Sequence, residues 1–543
     1  MADVVTLFGP PGTGKTTKLA ELIEGAVTRF GRDRVVVASL TRTAATEIIG
    51  RGIPVDPEHV GTLHALCYRL LGRPKLVDGT LDDFNKHYSR VLTPSGADMD
   101  DLAVDRQEAK TGHDRLREQM DVLRARMVPR ELWPAHVAQL ADEWEAWKAY
   151  TGTIDFTDMI AKALAQYERA PGEPEAIYYD EAQDGSALEL ALIRQWAAHT
   201  DHTRIAGDDD QSLYRWRGAS VEAFLAFSDD EHKRVLTRSY RLPRAVHRYA
   251  QRWVSRIKVR QAKDYEPRDE AGEVVMRDHV LTYPESVLPE LEDHMQAGRS
   301  VMLLASCGYM LDKLVACLRE HGMPFHNPYR LRNGKWNPLG GDGCAHDEGR
   351  WGASSRVLAY TQAARSDAPP WTWPELHAWV DVMRADVFPR GTKARVAELR
   401  DKPEMVPDYE IYSLLGHEPV AAARRADLEW FRVSLLDAKK KVHQFALAIA
   451  ERHGIEVLRH HRDDVQGVPG RGITVGTIHS VKGGEADVVY MWPDLSQAGA
   501  EEYHSAARDN VLRTFYVGIT RARHACYLCA PSSGRAVEWM PVG

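Results

Sequence analysis

The sequence predicts an α/β protein with two cores, each built on a parallel β-sheet and each interrupted by a mainly helical insertion. Apolar β-type runs alternate with helix-like stretches in two parts of the 543-residue chain, a pattern typical of parallel sheets covered by helices. Charged, helix-periodic and strand-poor segments interrupt both parts. The expected division is 1–71 with 152–233 for the first core, 72–151 for its insertion, 234–331 with 471–543 for the second core, and 332–470 for its insertion.

The strands of both cores are expected where short apolar runs rich in β-branched residues occur. In the first core these runs are Val4–Phe8, Val35–Leu40, Ala176–Tyr179 and Thr203–Ala206. In the second core they are Val301–Ala305, Ile473–Val475, Val488–Met491 and Ala525–Cys529.

Composition narrows the class of protein. With 44% hydrophobic and 27% charged residues the chain is ordinary globular protein. It contains no apolar run of 18 residues and enters a strand directly at its N-terminus, so we expect a cytoplasmic protein with no membrane partner. The net charge of −8 argues against a surface that coats polyanions, but it is compatible with a local basic groove for nucleic acid.

The first motif, GPPGTGKTT at residues 9–17, matches the phosphate-loop pattern G-x-x-x-x-G-K-[ST]. It lies between a predicted strand and a helix-like stretch, so its backbone N–H groups and the helix N-terminus would face a phosphate. Lys15 is expected to reach the β- and γ-phosphates, and the Thr16 hydroxyl to bind Mg²⁺. The nucleotide-binding residues expected here are Gly9, Pro10, Pro11, Gly12, Thr13, Gly14, Lys15, Thr16 and Thr17.

The second motif, DEAQD at residues 180–184, follows the predicted strand Ala176–Tyr179. Ligands bind at the carboxyl ends of strands in α/β sheets, so these carboxylates are well placed. Asp180 suits Mg²⁺ and Glu181 suits a base that activates water. The alternative is a chance glycine loop and an acidic strand end, which the context and order of the two motifs disfavour.

The third motif, GDDDQSLYRWRGA at residues 207–219, also follows a predicted strand. A neutral amide such as Gln211 can sense a γ-phosphate through a hydrogen bond. Tyr214, Trp216 and Arg217 place aromatic rings beside an arginine, a combination that stacks unpaired bases. The alternative is an aspartate-rich turn followed by an aromatic core cluster.

Weaker signals occur at other strand ends. TRTAAT at 41–46 and GTLHAL at 61–66 offer small hydrogen-bonding side chains for phosphate or sugar, although helix capping or a histidine satisfied in the core would also explain them. SYR at 239–241 and YVGITRAR at 516–523 supply Arg241 and Arg521, which could stabilise charge on a transferring phosphoryl group.

Together with TIHSVKGGE at 477–485, these motifs resemble those of the UvrD/Rep/PcrA family of superfamily 1 DNA helicases. The resemblance covers nearly the whole chain, and GDDDQSLYRWRGA and YVGITRA are close to signatures of that family. It implies two RecA-like cores of the P-loop NTPase type, with ATP between them and single-stranded DNA across their tops. The helical insertions resemble the family's accessory subdomains.

The resemblance also implies roles for individual residues. Lys15, Thr16 and Asp180 match the phosphate and Mg²⁺ residues, Glu181 the base, and Gln211 the γ-phosphate sensor. Arg241 and Arg521 match the arginine fingers of the second core, Tyr240 the ring that stacks on adenine, and Gly483 and Glu485 nucleotide contacts, with Glu485 on the ribose. The residues that match the DNA track are Thr41, Arg42, Thr62, His64, Tyr214, Trp216, Arg217 and His479.

Two departures from the family pattern modify the expectation. Only eight residues precede Gly9, so the glutamine that reads the adenine edge in the family is expected to be absent and base choice to be relaxed. Only 20 residues follow Arg523, so the hairpin that splits duplex DNA is expected to be short. This favours ATP-driven translocation over duplex unwinding.

The sequence therefore predicts an ATP-dependent DNA helicase or translocase that uses ATP and Mg²⁺ on single-stranded or tailed duplex DNA. By family resemblance it is expected to move 3′→5′ and to couple ATP hydrolysis to duplex unwinding. The alternative is a nucleic-acid-sensing regulatory ATPase of a defence or repair complex, without robust unwinding. A nucleotide kinase with a phosphate loop is disfavoured because it would need no aromatic track. The biological pathway, whether repair, replication or another, and the protein partners stay open.

Overall fold

The computed structural model describes residues 3–40, 55–94, 111–330, 333–339, 351–365, 370–464 and 472–542. It contains two six-stranded sheets with helices between their strands, which confirms the predicted α/β class with two parallel-sheet cores. The chain divides into two compact units. The first comprises Met1–Val275, Leu495–Cys526 and Arg535–Gly543, and the second comprises Met276–Asp494 and Tyr527–Gly534.

The elements up to residue 277 begin and end as follows. They are β1 Asp3–Phe8, α1 Lys15–Phe30, β2 Val35–Ser39, β3 Val60–Thr62, α2 Leu63–Leu70, α3 Leu81–Tyr88, α4 Gly112–Ala125, α5 Ala135–Thr151, α6 Phe156–Gln166, β4 Ala176–Asp180, α7 Ala187–Ala197, β5 His202–Gly207, α8 Val221–Leu225, β6 Lys233–Val235, α9 Arg244–Val254 and β7 Glu273–Arg277. Short 3-10 helices important for the site cover Ala182–Asp184, Asp209–Gln211 and Arg215–Arg217.

The remaining elements are mainly helical between β9 and β10. They are α10 Leu288–Gln296, β8 Val301–Ala305, α11 Asp312–Glu320, β9 Phe325–His326, α12 Ala353–Thr361, α13 Trp373–Val380, α14 Thr392–Leu399, α15 Asp408–Leu415, α16 His417–Arg424, α17 Leu428–Ser434, α18 Asp437–His453, α19 Ile455–Asp464, β10 Ile473–Thr477, β11 Ala486–Met491, α20 Gln497–Tyr503, α21 Arg508–Ile519 and β12 Ala522–Cys529. Within the described part of the chain, no helix has both the length and the apolar character needed to cross a membrane.

The first sheet has the order β3-β2-β4-β5-β1-β6, and its strands pair in parallel. Phe8 at the end of β1 lies opposite Gly207 at the end of β5, and Tyr179 near the end of β4 lies opposite Ile205. The loops after β1, β4 and β5 therefore leave the same edge of the sheet from neighbouring strands. This brings the first three motifs together, as expected for a ligand site in an α/β sheet.

Alternation along the central strands buries both faces of this sheet. Val35, Val37 and Tyr178 point to the face covered by α1, whereas Val36 and Ile177 point to the face covered by α2, α6 and α7. Such strands lack the polar-apolar alternation of a half-exposed sheet, so they appear in the sequence as continuous apolar runs.

The second sheet has the order β7-β12-β11-β8-β10-β9. The central strand β8 pairs in parallel with β10 and β11, and β10 pairs in parallel with β9. The four strands missing from the sequence prediction, β3, β6, β7 and β9, are the edge strands of the two sheets. Strands β3 and β6 have three residues each and β9 has two, and β7 reads EVVMR with a charged residue at each end, so these strands lack the apolar run that identifies a central strand.

The segment between β3 and β4 contains α3, α4 and α5, which share a separate hydrophobic cluster with Phe84, Trp144 and Trp147. The Trp144 indole also donates to Asp155 Oδ2 at 2.9 Å, and the Trp147 indole donates to Thr80 Oγ1 at 3.0 Å. Core packing thus accounts for both tryptophans. The bounds of the four predicted segments stay a prediction.

Candidate nucleotide and nucleic-acid site

The loop between β1 and α1 forms a compact cradle. Gly12 and Gly14 adopt left-handed conformations with φ of 72° and 73°, and Thr13 donates its backbone N–H (3.1 Å) and its hydroxyl (2.8 Å) to the Pro10 carbonyl. A Cβ atom on Gly12 would lie 2.3 Å from the Cβ of Arg241, so a side chain does not fit there. Left-handed residues before a helix N-terminus turn backbone N–H groups toward one point, which suits a phosphate.

Lys15 joins this loop to the end of β4. Its ammonium lies 3.2 Å from Asp180 Oδ1 and donates a short hydrogen bond to Glu181 Oε1. Burial alone would lower the pKa of Lys15, but the two carboxylates outweigh burial and raise the pKa above its ordinary value. Burial also raises the pKa of Asp180, although the Lys15 charge opposes this shift. The predicted phosphate lysine, metal ligand and base are therefore in direct contact.

Glu181 is fixed by its backbone and by a neighbouring amide. It has a left-handed conformation with φ of 57°, which is uncommon for a residue other than glycine. Gln183 donates to Glu181 Oε2 at 2.6 Å, and its own Oε1 accepts from the backbone N–H of Asp208 at 3.1 Å. Gln183 thus ties Glu181, the predicted base, to the loop after β5. The sequence analysis missed this role, although an amide inside DEAQD was a visible signal.

The SYR segment packs on the phosphate loop. Ser239 donates its hydroxyl to the Pro11 carbonyl at 2.7 Å, and the Tyr240 N–H donates to the Gly12 carbonyl at 2.7 Å. The Tyr240 ring is 70% exposed and lies 3.9 Å from the position of a Cβ atom on Gly14. A flat, exposed ring next to the loop is suited to stacking on a base. Arg241 follows it and lies over Gly12.

Gln211 and Arg521 contact each other at the end of β5. Arg521 Nη2 donates to Gln211 Oε1 at 2.8 Å, and Gln211 Nε2 donates to Asp208 Oδ2 at 2.7 Å. Arg521 is buried, and its Nε donates to the Val517 carbonyl at 2.9 Å. The sequence analysis assigned Arg241 and Arg521 to the second core. Both lie in the compact unit that contains the first sheet.

The aromatic end of the third motif has a different environment. Tyr214 is buried and Trp216 is 37% exposed, with their ring centroids 6.1 Å apart and the rings tilted by 68°. Trp216 and Arg217 line a cavity of about 190 Å³ together with His64. A partly enclosed cavity with an indole and a guanidinium in its wall can accept an unpaired base.

His64, which lines this cavity, and Thr62, two residues before it, both have structural partners. The Thr62 hydroxyl caps α2 by accepting from the Ala65 N–H at 3.2 Å, which is the alternative weighed for it above. His64 is mostly buried, with Nδ1 3.6 Å from Glu189 Oε1. Burial is the main cause that lowers the pKa of His64 to about 4. The negative charge of Glu189 partly opposes this shift, and the positive charge of Arg217 adds to it.

The other predicted residues lie elsewhere. His479 begins a 3-10 helix in the second unit, Gly483 follows with φ of 87°, and Glu485 directly precedes β11. Thr41 and Arg42 lie outside the described residues.

A buried lysine was also missed by the sequence analysis. Lys263 contacts the carboxylates of Asp208, Asp209 and Asp210, and Arg260 pairs with Asp210 through two hydrogen bonds of 2.9 and 2.7 Å. Neither cation lies in one of the motifs described in the sequence analysis. The run of three aspartates was the available signal, because buried carboxylates require cations.

Comparisons with known proteins agree with this geometry. Residues 2–232 match the UvrD/REP helicase N-terminal domain, and residues 472–529 match the UvrD-like helicase C-terminal domain. The ATP-dependent DNA helicase PcrA of Staphylococcus epidermidis is 26% identical over 195 residues, and that of Staphylococcus aureus is 25% identical over the same length. Each alignment covers 34% of this chain and 27% of the relative, so the chain matches about a quarter of the length of these relatives.

Proposed function

We propose, because the chain belongs to the UvrD/Rep/PcrA-like superfamily 1 helicases, that it hydrolyses ATP in order to move along single-stranded DNA. The observation that carries the proposal is the contact between Lys15 of the phosphate loop and both carboxylates that end β4. This arrangement joins a phosphate cradle, a metal ligand and a base at one sheet edge.

Each residue at this edge of the sheet has a separate role in hydrolysis. The loop N–H groups and Lys15 bind the phosphates, and Glu181 orients and deprotonates the attacking water. Thr16 and Asp180 are the residues that would hold Mg²⁺, which neutralises phosphate charge when bound. Gln211 and Arg521 present an amide and a guanidinium that can respond to the γ-phosphate. Tyr240 stacks on the base.

The nucleic-acid track is proposed at the aromatic end of the third motif. Trp216 and Arg217 line a partly enclosed cavity, and an exposed indole beside a guanidinium stacks bases with little sequence preference. His64 and Tyr214 support this wall from the buried side. Movement in the 3′→5′ direction and the separation of duplex DNA are proposed from the family resemblance.

One pair of measurements tests the proposal. ATP hydrolysis is followed with and without a single-stranded oligonucleotide, and strand separation is then followed on duplexes with a 3′ or a 5′ overhang. We expect DNA to stimulate hydrolysis, and only the 3′-tailed duplex to be separated. Hydrolysis that is indifferent to DNA would contradict the proposal. Stimulation without separation on either substrate would support the sensing ATPase instead.

A further inference from the structure

We infer that Lys263 is a positioning residue for hydrolysis, which holds Gln211 in its working orientation through the carboxylate of Asp208. The inference rests on the proposed function, because it assigns Lys263 to the same nucleotide site. It concerns a residue outside the motifs described in the sequence analysis.

Lys263 lies at the centre of a buried cluster of charges. Its ammonium is 2.8 Å from Asp208 Oδ1 and 2.8 Å from Asp210 Oδ2, and it makes a shorter contact with Asp209. All four side chains have almost no contact with solvent. The three carboxylates lie close enough together to hold a cation, and the lysine supplies that charge.

Asp208 connects this cluster to the nucleotide site. One of its oxygens contacts Lys263, and the other accepts from Gln211 Nε2 at 2.7 Å. The opposite end of the amide, Gln211 Oε1, accepts from Arg521 at 2.8 Å. Both ends of the amide are therefore fixed, so its orientation is determined. An amide nitrogen carries two N–H groups, and the bond to Asp208 uses one of them, which leaves a donor for a phosphate.

The charge on Lys263 is needed to keep Asp208 in place. Three adjacent buried carboxylates repel one another, and without a central cation one of them would protonate or turn away. Asp210 also has Arg260 as a partner, whereas Asp209 and Asp208 each also accept a backbone N–H, from Gln261 at 2.9 Å and from Asp210 at 3.2 Å. Because Asp208 contacts both Lys263 and Gln211, loss of Lys263 reaches Gln211 through Asp208.

The chain offers a matched control in Arg260. Arg260 is a second partly buried cation of the same cluster, but its hydrogen bonds go to the carboxylate of Asp210, whereas the side-chain amide of Gln211 donates to Asp208. Lys263→Met and Arg260→Met each remove one positive charge and keep an apolar stem. Only the first change should disturb the orientation of Gln211.

The experiment compares kcat, the KM for ATP and the melting temperature of these two variants with the wild-type full chain. We expect Lys263→Met to lower the DNA-stimulated kcat by about 10- to 100-fold, the cost of a misplaced reacting group. Its KM for ATP should stay within about threefold of the wild-type value. Arg260→Met should keep kcat within about threefold of the wild-type value, although its melting temperature should fall by a similar amount to that of Lys263→Met. Equal losses of kcat in the two variants would overturn the inference.

A second comparison applies if Lys263→Met does not fold. Asp208→Asn keeps the size of the side chain and weakens both contacts, and it is combined with Gln211→Ala. If Asp208 acts through Gln211, then Asp208→Asn should lower kcat in the wild type and cause little further loss in Gln211→Ala. Additive losses would overturn the inference. If the wild-type chain does not hydrolyse ATP, the proposed function is overturned together with the inference. If the wild-type chain hydrolyses ATP and the Lys263 and Asp208 variants have unchanged kcat, only the inference is overturned.

Discussion

The two ends of GDDDQSLYRWRGA are only a few residues apart, yet they lie in opposite kinds of environment. At the Gln211 end, buried cations and carboxylates contact one another and fix each side chain by at least one hydrogen bond. At the Trp216 end, a partly exposed indole lines a partly enclosed cavity. A reaction centre requires fixed geometry, whereas a surface that passes along a polymer requires accessible rings. Damage to the first end should therefore affect chemistry, and damage to the second should affect affinity.

The largest expected effect comes from Glu181→Gln at the chemical end. The change keeps the size of the side chain and removes the proposed base, so we expect turnover to fall by about 10²- to 10⁴-fold. Nucleotide binding and single-strand affinity should remain, because the loop and Trp216 are untouched. Hydrolysis and fluorescence binding assays measure the two quantities separately.

Glu175→Gln is the matched control for this prediction. Glu175 lies just before β4, at the opposite end of that strand from Glu181. Its carboxylate pairs with Arg34 on a partly exposed surface. Its loss should leave turnover unchanged. Normal hydrolysis by Glu181→Gln in the presence of DNA would show that another group activates the water.

The chemical end could be predicted from sequence because its residues follow central strands. The phosphate loop, DEAQD and GDDDQ each come directly after an apolar run, and neighbouring parallel strands bring their ends together. Lys263 could not be predicted in this way. It lies 53 positions beyond Asp210, by subtraction of residue numbers, in a segment without regular structure, so its contact with the aspartates depends on tertiary packing. The four edge strands were missed for a related reason, since three of them have only two or three residues and the fourth, β7, has a charged residue at each end.

At the aromatic end, sequence predicted the residue types better than their burial. Tyr214 and Trp216 are two residues apart, yet one is buried and the other lines the cavity. Trp216 lies in the 3-10 helix Arg215–Arg217, which turns its ring outward. The motif specifies residue types but not this backbone conformation, so the difference in burial could not be predicted from it. Thr62 was predicted as a DNA contact, and its hydroxyl caps a helix. Whether it also contacts DNA stays a prediction.

The second effect in size comes from Trp216→Ala. If the indole stacks on a base, its removal should weaken single-strand binding by about 1–3 kcal/mol. DNA-stimulated hydrolysis should then fall, while hydrolysis without DNA and the melting temperature change little. Tyr412→Ala, which removes a ring of similar exposure on α15, serves as the control. A large drop in melting temperature with intact DNA affinity would identify Trp216 as a core residue.

The smallest expected effect is on the pH dependence of the free energy of unfolding, and the direction of that dependence differs between the two ends of the motif. His64 at the cavity has a pKa of about 4, below the 6.5 of an unfolded histidine, so the unfolded chain binds the extra proton first. Its contribution to stability is complete above pH 6.5 and is lost as the pH falls toward 4. Burial instead raises the pKa of Asp209 in the charge cluster to about 6, although Lys263 opposes this shift. The contribution of Asp209 to stability therefore falls as the pH rises from its ordinary pKa of 3.8 to about 6.

The two contributions partly cancel in the wild type, so the difference between wild type and His64→Gln isolates the histidine. We expect the variant to lose up to about 2 kcal/mol less unfolding free energy than the wild type between pH 7 and 5, because over that range the unfolded chain takes up a proton at His64 and the folded chain does not. Chemical denaturation at each pH measures the difference, with the exposed His136→Gln as the control. Parallel pH curves for wild type and His64→Gln would mean that the His64 ring accepts its proton in the folded state as readily as in the unfolded state. The cavity wall would then tolerate a charged ring, and His64 would be free to pair with a phosphate near neutral pH.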